Sequence, residues 1–225
     1  MLLIGLLVAS SFCPHEDSLD KKNYVAFVAD LSQHQVSMHW KNKDGQLYGN
    51  LKKLSSHFQA IKQPMLFAMN GGMYHVDRQP VGLYIENHRT LAPLNTSKGE
   101  GNFFLEPNGV FYLTKNAGAH VCSTTEFKAD STIAFATQSG PMLVIHGAIH
   151  PKFNANSKNT AIRNGVGILP DGRILMALSK NEVNLHTFAS YFLRNGCQNA
   201  LYLDGNVSRA FCPLQQWEQL DGDLV

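Results

Sequence analysis

Short apolar runs rich in Val, Ile, Phe and Tyr recur along this chain, each closed by a Gly, Pro or Asn turn. This punctuation predicts strands more often than helices. Tyr24 to Leu31 and His34 to Trp40 read as a hairpin joined at Ser32-Gln33. Pro64 to Met69, Val81 to Glu86, Asn102 to Glu106 and Val110 to Leu113 read as further strands, the last two parted by Pro107-Asn108-Gly109. Thr132 to Thr137, Met142 to Ile145, Val166 to Leu169 and Arg173 to Leu178 continue the series. Two segments carry the helical period instead. Leu51, Leu54, Phe58 and Ile61 share one face, and Pro64 stops that helix near Gln63. Leu185, Phe188, Ala189, Phe192 and Leu193 share another, with Asn184 placed to cap the start and Gly196 the end. That second helix feeds the strand Ala200 to Leu203. The pattern predicts an α+β fold, a single domain with a large, mostly antiparallel twisted sheet and a few packing helices.

Four of the predicted strands meet polar residues at a glycine turn: Asn70-Gly71-Gly72, Gln138-Ser139-Gly140-Pro141, Arg163-Asn164-Gly165 and Asp204-Gly205. The last is the most telling. Ending a Leu-Tyr-Leu run with a carboxylate costs desolvation unless partners or function offset it. Asn70-Gly71-Gly72 has the backbone freedom to turn amide N–H groups toward an anion as a nest. An Arg163 guanidinium at the mouth of a strand suits bidentate binding of a phosphate or carboxylate, or a surface salt bridge. Together the turns predict one composite site, with Asn70, Ser139, Arg163 and Asp204 lining a single cleft at one end of the sheet.

Composition narrows the classes. The chain has 225 residues, 44% of them hydrophobic and 16% charged, with a net charge of +2, which describes a globular domain with little disorder. No basic run is present and no nucleic-acid module signature appears, so nucleic acid is not an expected partner. Met1 to Phe12 is apolar, with small residues at Ala9-Ser10-Ser11 and polar His15-Glu16-Asp17 beyond it. That is far short of the ~20 residues a membrane-spanning helix needs, so no stable membrane span is expected. It suits the core of a signal peptide, although a positive segment before it is missing. Residues 1–20 therefore read as a signal-peptide-like segment and leader, residues 21–225 as one domain, and the expected location as periplasmic or secreted. Bulky Phe12 before Cys13 argues against a lipid anchor there. The chain's 4 cysteines fit an oxidising compartment; Cys197 and Cys212 bracket the Asp204 segment and are a possible bridge, with Cys122 the other candidate partner.

Several familiar sites are missing. The chain holds neither a P-loop nor a G-x-G-x-x-G phosphate cradle, no G-x-S-x-G elbow, no H-E-x-x-H and no C-x-x-C. His34/His39 and His146/His150 lack the helical context of a zinc site.

Taken in series, Asn70-Gly71-Gly72, Gln138-Ser139-Gly140-Pro141, Arg163 before a glycine-led strand, and Leu203-Asp204-Gly205 with Ser208 resemble the phosphodiester glycosidase family over roughly residues 64 to 212. The family's acid strand usually ends Leu-Asp-Gly-Gly-x-Ser; here Asn206 and Val207 replace the second glycine and its neighbour, while Asp204 and Ser208 remain. The resemblance implies an exported hydrolase that cleaves the glycosidic bond of a sugar-1-phosphodiester, releasing a sugar and a phosphomonoester. It implies Asp204 and Arg163 as catalytic residues and Asn70, Gly71, Gly72, Ser139, Gly140 and Ser208 as substrate-binding, with a carbohydrate phosphodiester or anionic glycan as partner. No cofactor or metal ligand is assigned, and a divalent metal stays compatible, Asp204 then being among its ligands. The leaving group would be a phosphate monoester, already acidic, so neutralising its charge matters more than protonating it. Asp77, Glu86 and Glu100 are the carboxylates near the first turn, and Trp40, Tyr74 and Tyr202 are aromatics suited either to a sugar site or to the core. The competing reading is a non-catalytic exported binder of anionic glycan or cell-wall fragments, using the same residues without turnover.

Overall fold

The computed structural model describes residues 19–116, 118–205 and 207–222. The Met1 to Phe12 segment and Cys13 lie outside them. In chain order the elements are β1 (Tyr24–Ala29), α1 (Leu51–Ala60), β2 (Ala68–Met69), β3 (Tyr84–Glu86), β4 (Arg89–Ala92), β5 (Gly109–Thr114), β6 (Ala119–Ser123), β7 (Ile133–Ser139), β8 (Met142–Ile145) and β9 (Ala148–Ile149). They continue with β10 (Asn164–Ile168), β11 (Ile174–Ser179), α2 (Leu185–Arg194), β12 (Asn199–Asp204), β13 (Ala210–Cys212) and β14 (Trp217–Glu218).

Both helices start where an asparagine can replace the missing backbone acceptor. Asn50 accepts from the Lys53 N–H at 2.9 Å, and Asn184 accepts from the Thr187 N–H at 2.8 Å. Gly196, with φ at 86°, takes the left-handed turn after α2.

The strands form an α+β fold whose named pairings are antiparallel, but they divide into three sheets where the sequence pattern suggests one. A six-stranded sheet runs β1-β11-β10-β12-β8-β9, a five-stranded sheet β4-β3-β7-β5-β6, and a small sheet β14-β13-β2. The six-stranded sheet is covered on both faces. Tyr24, Ala26, Leu175, Ala177, Ala200 and Tyr202 pack under Phe188, Tyr191 and Phe192 of α2. Val166, Ile174, Leu201 and Leu203 point the other way, onto Phe111, Leu113 and Val121 of the five-stranded sheet. A strand buried on both faces loses its polar alternation, which is why Ala200 to Leu203 reads as an unbroken apolar run.

The hairpin expected at the N-terminus does not form. β1 pairs with β11, from Tyr24↔Ser179 to Ala29↔Ile174, and His34 to Trp40 runs beside it outside the named strands. The Asp30 carbonyl caps the intervening turn, accepting from the Gln33 and His34 N–H groups, and this steers the chain off the sheet. The segment expected as a strand from Asn102 is a 3₁₀ turn, Asn102–Phe104. The bridge between Cys197 and Cys212 is also absent: Cys122, Cys197 and Cys212 are free thiols. Cys197 packs with α2 and Cys212 with Val25, Leu178 and Ala210, in separate clusters. Burial pushes the Cys197 thiol up to about 12.

Candidate active site

β12 and β10 meet irregularly at their site end. Asn164 faces Asp204, whereas the next residue, Gly165, faces Tyr202, so Leu203 is an extra residue on β12. This bulge turns Asp204 away from the strict alternation of the strand and frees backbone groups that side chains then satisfy. The Ser139 hydroxyl donates to the Leu203 carbonyl at 2.8 Å, and the Asp204 N–H donates to Asn164 Oδ1 at 2.8 Å.

Asp204 sits in a network drawn from three remote segments. Asn70 Nδ2 donates to Asp204 Oδ2 at 3.2 Å, and the Gly205 N–H donates to Asp204 Oδ1 at 2.6 Å. Asn164 Nδ2 donates to the Asn70 carbonyl at 2.6 Å and to Asn70 Oδ1 at 3.2 Å. The Arg209 N–H adds a donor to Asn70 Oδ1 at 2.9 Å, and the Ser208 hydroxyl closes the loop onto the Asp204 carbonyl at 3.0 Å. Asp204 retains 6% exposure and Asn70 7%, so the pair sits just beneath the surface. Asn164 is fully buried and joins the two.

Arg163, 1% exposed, lies behind this network. Its Nε donates to the Val183 carbonyl at 2.7 Å, one terminal nitrogen to the Tyr202 hydroxyl at 3.0 Å, and the other to the Asn159 carbonyl and Oδ1 at 3.0 and 3.2 Å. All three nitrogens are thus engaged within the protein, which replaces the bidentate clamp expected from sequence with an internal strut. The acceptors are neutral, so a buried positive charge stands without a carboxylate among the described residues. Burial raises the Tyr202 phenol to about 12, outweighing the opposing pull of the Arg163 charge.

The glycines contribute by close approach. Gly71 and Gly72 both lack a positive φ, so neither uses the left-handed freedom that made a nest the expectation there. A Cβ on Gly72 would come 2.7 Å from Thr137 Oγ1 and 2.9 Å from the Gln138 carbonyl, so this position admits only glycine against β7. A Cβ on Gly205 would overlap the Tyr202 hydroxyl, the acceptor of Arg163.

The single cleft lined by Asn70, Ser139, Arg163 and Asp204 is therefore corrected to a layered arrangement. Ser139 is fully buried, Gly140 packs against the Phe103 carbonyl and Asn108, and Ser208 is 2% exposed. All three lie under the site. Gln138 clasps neighbouring loops: its Oε1 accepts from the Leu83 and Asn95 N–H groups, and its Nε2 donates to the Asn95 carbonyl. Asn70, Gly71 and Gly72 form part of the wall of an adjoining cavity of about 570 Å³, which Trp40, Tyr74 and Leu203 also line. Of the nearby carboxylates, Asp77 and Glu100 are exposed, and Glu86 accepts from the Tyr84 hydroxyl at 2.8 Å and the Trp40 N–H at 3.3 Å. Among the described residues no three His, Cys, Asp or Glu side chains gather as a metal site.

Sequence reasoning assigned Asn164 no role of its own in the site, and Tyr202 only that of an aromatic suited to a sugar site or to the core; its role as an acceptor for Arg163 was missed. Asn164 was visible beside Arg163, at the mouth of a strand where a side-chain amide competes with the ladder. Nothing in the sequence pointed to the Tyr202 hydroxyl as a partner of Arg163, because a phenol inside an apolar run looks like core or an aromatic sugar platform.

A family model described as phosphodiester glycosidase matches residues 64–221, which include Asn70, Ser139, Arg163, Asp204 and Ser208. The Escherichia coli (strain K12) protein "Uncharacterized protein YigE" is 37% identical over 187 residues, spanning 83% of this chain and 73% of its own. The solved catalytic domain of zebrafish N-acetylglucosamine-1-phosphodiester alpha-N-acetylglucosaminidase, auto-inhibited by its pro-peptide, has a TM-score of 0.54 at 12% identity. That match covers 96% of this chain and 92% of the zebrafish one, and speaks for the fold alone.

Proposed function

The chain belongs to the phosphodiester glycosidase family, and from that premise we propose that it hydrolyses the glycosidic bond of a sugar-1-phosphodiester, releasing a free sugar and a phosphomonoester. The observation that carries this reading is the Asn70–Asp204–Asn164 network, which holds one carboxylate just beneath the surface beside an open cavity. Asp204 is the chemical group. Its negative charge stabilises the positive charge that develops at the sugar C1, and it takes the proton of the attacking water. The C1–O bond breaks, the water hydroxyl joins C1, and the oxygen leaves on the phosphate with its electron pair.

Arg163 acts through its field. A buried guanidinium whose hydrogen-bond acceptors among the described residues are neutral supports a phosphate leaving group nearby, and its rigid mounting means little reorganisation as charge develops. Ser139 and Ser208 hold the bulge and the loop that position Asp204; Asn70, Gly71 and Gly72 present the substrate face. We also read the protein as exported, on the apolar Met1 to Phe12 segment; N-terminal sequencing of material recovered outside the cytoplasm tests that.

The decisive experiment is a turnover assay of purified protein on a panel of sugar-1-phosphodiesters, with and without chelator. Release of free sugar that Asp204→Asn abolishes is the expected result. Binding without turnover across the panel would leave a non-catalytic glycan binder as the better reading.

A further inference from the structure

The cavity beside Asn70 is lined in a way that a sugar site does not require. Of the chain's 7 methionines, Met38, Met65, Met69, Met73 and Met176 all stand on its wall. None of these five is fully buried, and Leu54, Phe27, Phe58 and Phe67 beside them are likewise only partly covered. Among the described residues its wall includes no Asp, Glu, Lys or Arg. Half-covered apolar side chains normally scatter; here they converge on one hollow of about 570 Å³, within the range of about 300–1,000 Å³ typical of ligand pockets. The hollow is continuous with the site, because Leu203, the neighbour of Asp204, and Asn70, its hydrogen-bond partner, both face it.

We propose that this cavity receives the aglycone of the substrate and that the aglycone is a long apolar chain, making the substrate a sugar-1-phosphate ester of a lipid-like alcohol. The proposal rests on the function proposed above and names its substrate class. Methionine is unbranched and polarizable, so the methionine-rich part of the wall adapts to a flexible chain, while polar side chains such as Gln33, Gln35, Asn50 and Gln63 occupy other parts of it. Hydrolysis at C1 would then release the free sugar and an alkyl phosphate. The water hydroxyl goes to C1 and the C1–O electron pair stays with the phosphate. The alkyl part remains in the apolar hollow while its phosphate sits at the Asn70 end.

The test measures binding of methyl, butyl, octyl and dodecyl phosphate to the whole protein by titration calorimetry, below their micelle concentrations. Affinity is expected to rise about two- to fourfold for each added methylene until the cavity is filled. Equal affinity for methyl and dodecyl phosphate would overturn the proposal. Leu54→Trp and Met65→Trp fill the hollow from two sides, and each is expected to remove the gain from octyl to dodecyl with an unchanged thermal melt. Persistence of the gain in both variants would equally refute it. Because binding is read without catalysis, the two readings fail separately. Chain-length-dependent binding with no turnover of any phosphodiester sinks the enzyme and keeps the cavity; turnover with no chain-length dependence does the reverse.

Discussion

Asn70 and Asp204, separated by 134 positions in the chain, share a hydrogen bond of 3.2 Å, and the buried amide of Asn164 fastens both. The bond fixes which way the carboxylate faces, and it ties the turn after β2 to the end of β12.

Replacing Asp204 with Asn keeps the volume and most of the hydrogen bonding but removes the charge. We expect turnover of sugar-1-phosphodiesters to fall at least a thousandfold, with phosphate-ester binding equal or tighter because repulsion between anions is relieved. Arg163→Met should act oppositely, weakening binding of phosphate esters about tenfold or more, with salt dependence reduced. Parallel calorimetry and turnover measurements separate the two, and wild-type rates in Asp204→Asn would end the mechanism.

Asn164→Ala leaves the Asp204 N–H and the Asn70 carbonyl without their partner in a dry environment. Each orphaned group costs about 1–3 kcal/mol, so urea unfolding should show a loss of roughly 2–6 kcal/mol. Activity should fall beyond what the lost folded population explains, since Asp204 loses its orientation. A stable, fully active variant would show that the clamp is dispensable.

Gly205→Ala forces a methyl onto the Tyr202 hydroxyl, which must leave Arg163 or push the loop aside. The variant should be destabilised by several kcal/mol, and Tyr202→Phe in the same chain should recover part of the loss by vacating the space. A double-mutant cycle by thermal unfolding reads the coupling; strictly additive losses would contradict the geometry.

His150 provides a pH signature. It is 1% exposed, its Nδ1 accepts from the Lys152 N–H at 3.2 Å, and its Nε2 therefore donates to the Glu106 carbonyl at 3.2 Å. Burial holds its pKa below the ordinary 6.5, and His39 is held down for the same reason. A base whose folded pKa is depressed is neutral in the fold and takes up its proton on unfolding. Its stabilising contribution is complete above about pH 6.5 and is lost as pH falls toward the folded value. Melting temperatures should drop between pH 7 and pH 5, and His150→Gln should flatten part of that slope. An unaltered slope would place the effect elsewhere.

Local physics is what the sequence discloses here. Asn184 announced the start of α2 and Pro64 the end of α1, because a cap or a breaker depends only on residues about a turn away. The doubly buried β12 announced itself as an apolar run, and Asp204 at its end as a charge needing a reason. The family motifs supplied the order of the site segments. Pairing partners were a different matter. The capped turn at Asp30 carries the adjacent His34 to Trp40 segment off the sheet, and the pairing of β1 with β11 in its place joins residues far apart in the chain, which no local pattern announces. The bulge at Leu203, the internally engaged guanidinium of Arg163 and the methionine-lined hollow likewise exist only where remote segments meet. A side chain's type is written in the sequence, but whether its hydrogen bonds are left for a ligand or spent inside the protein is decided by what the fold brings beside it.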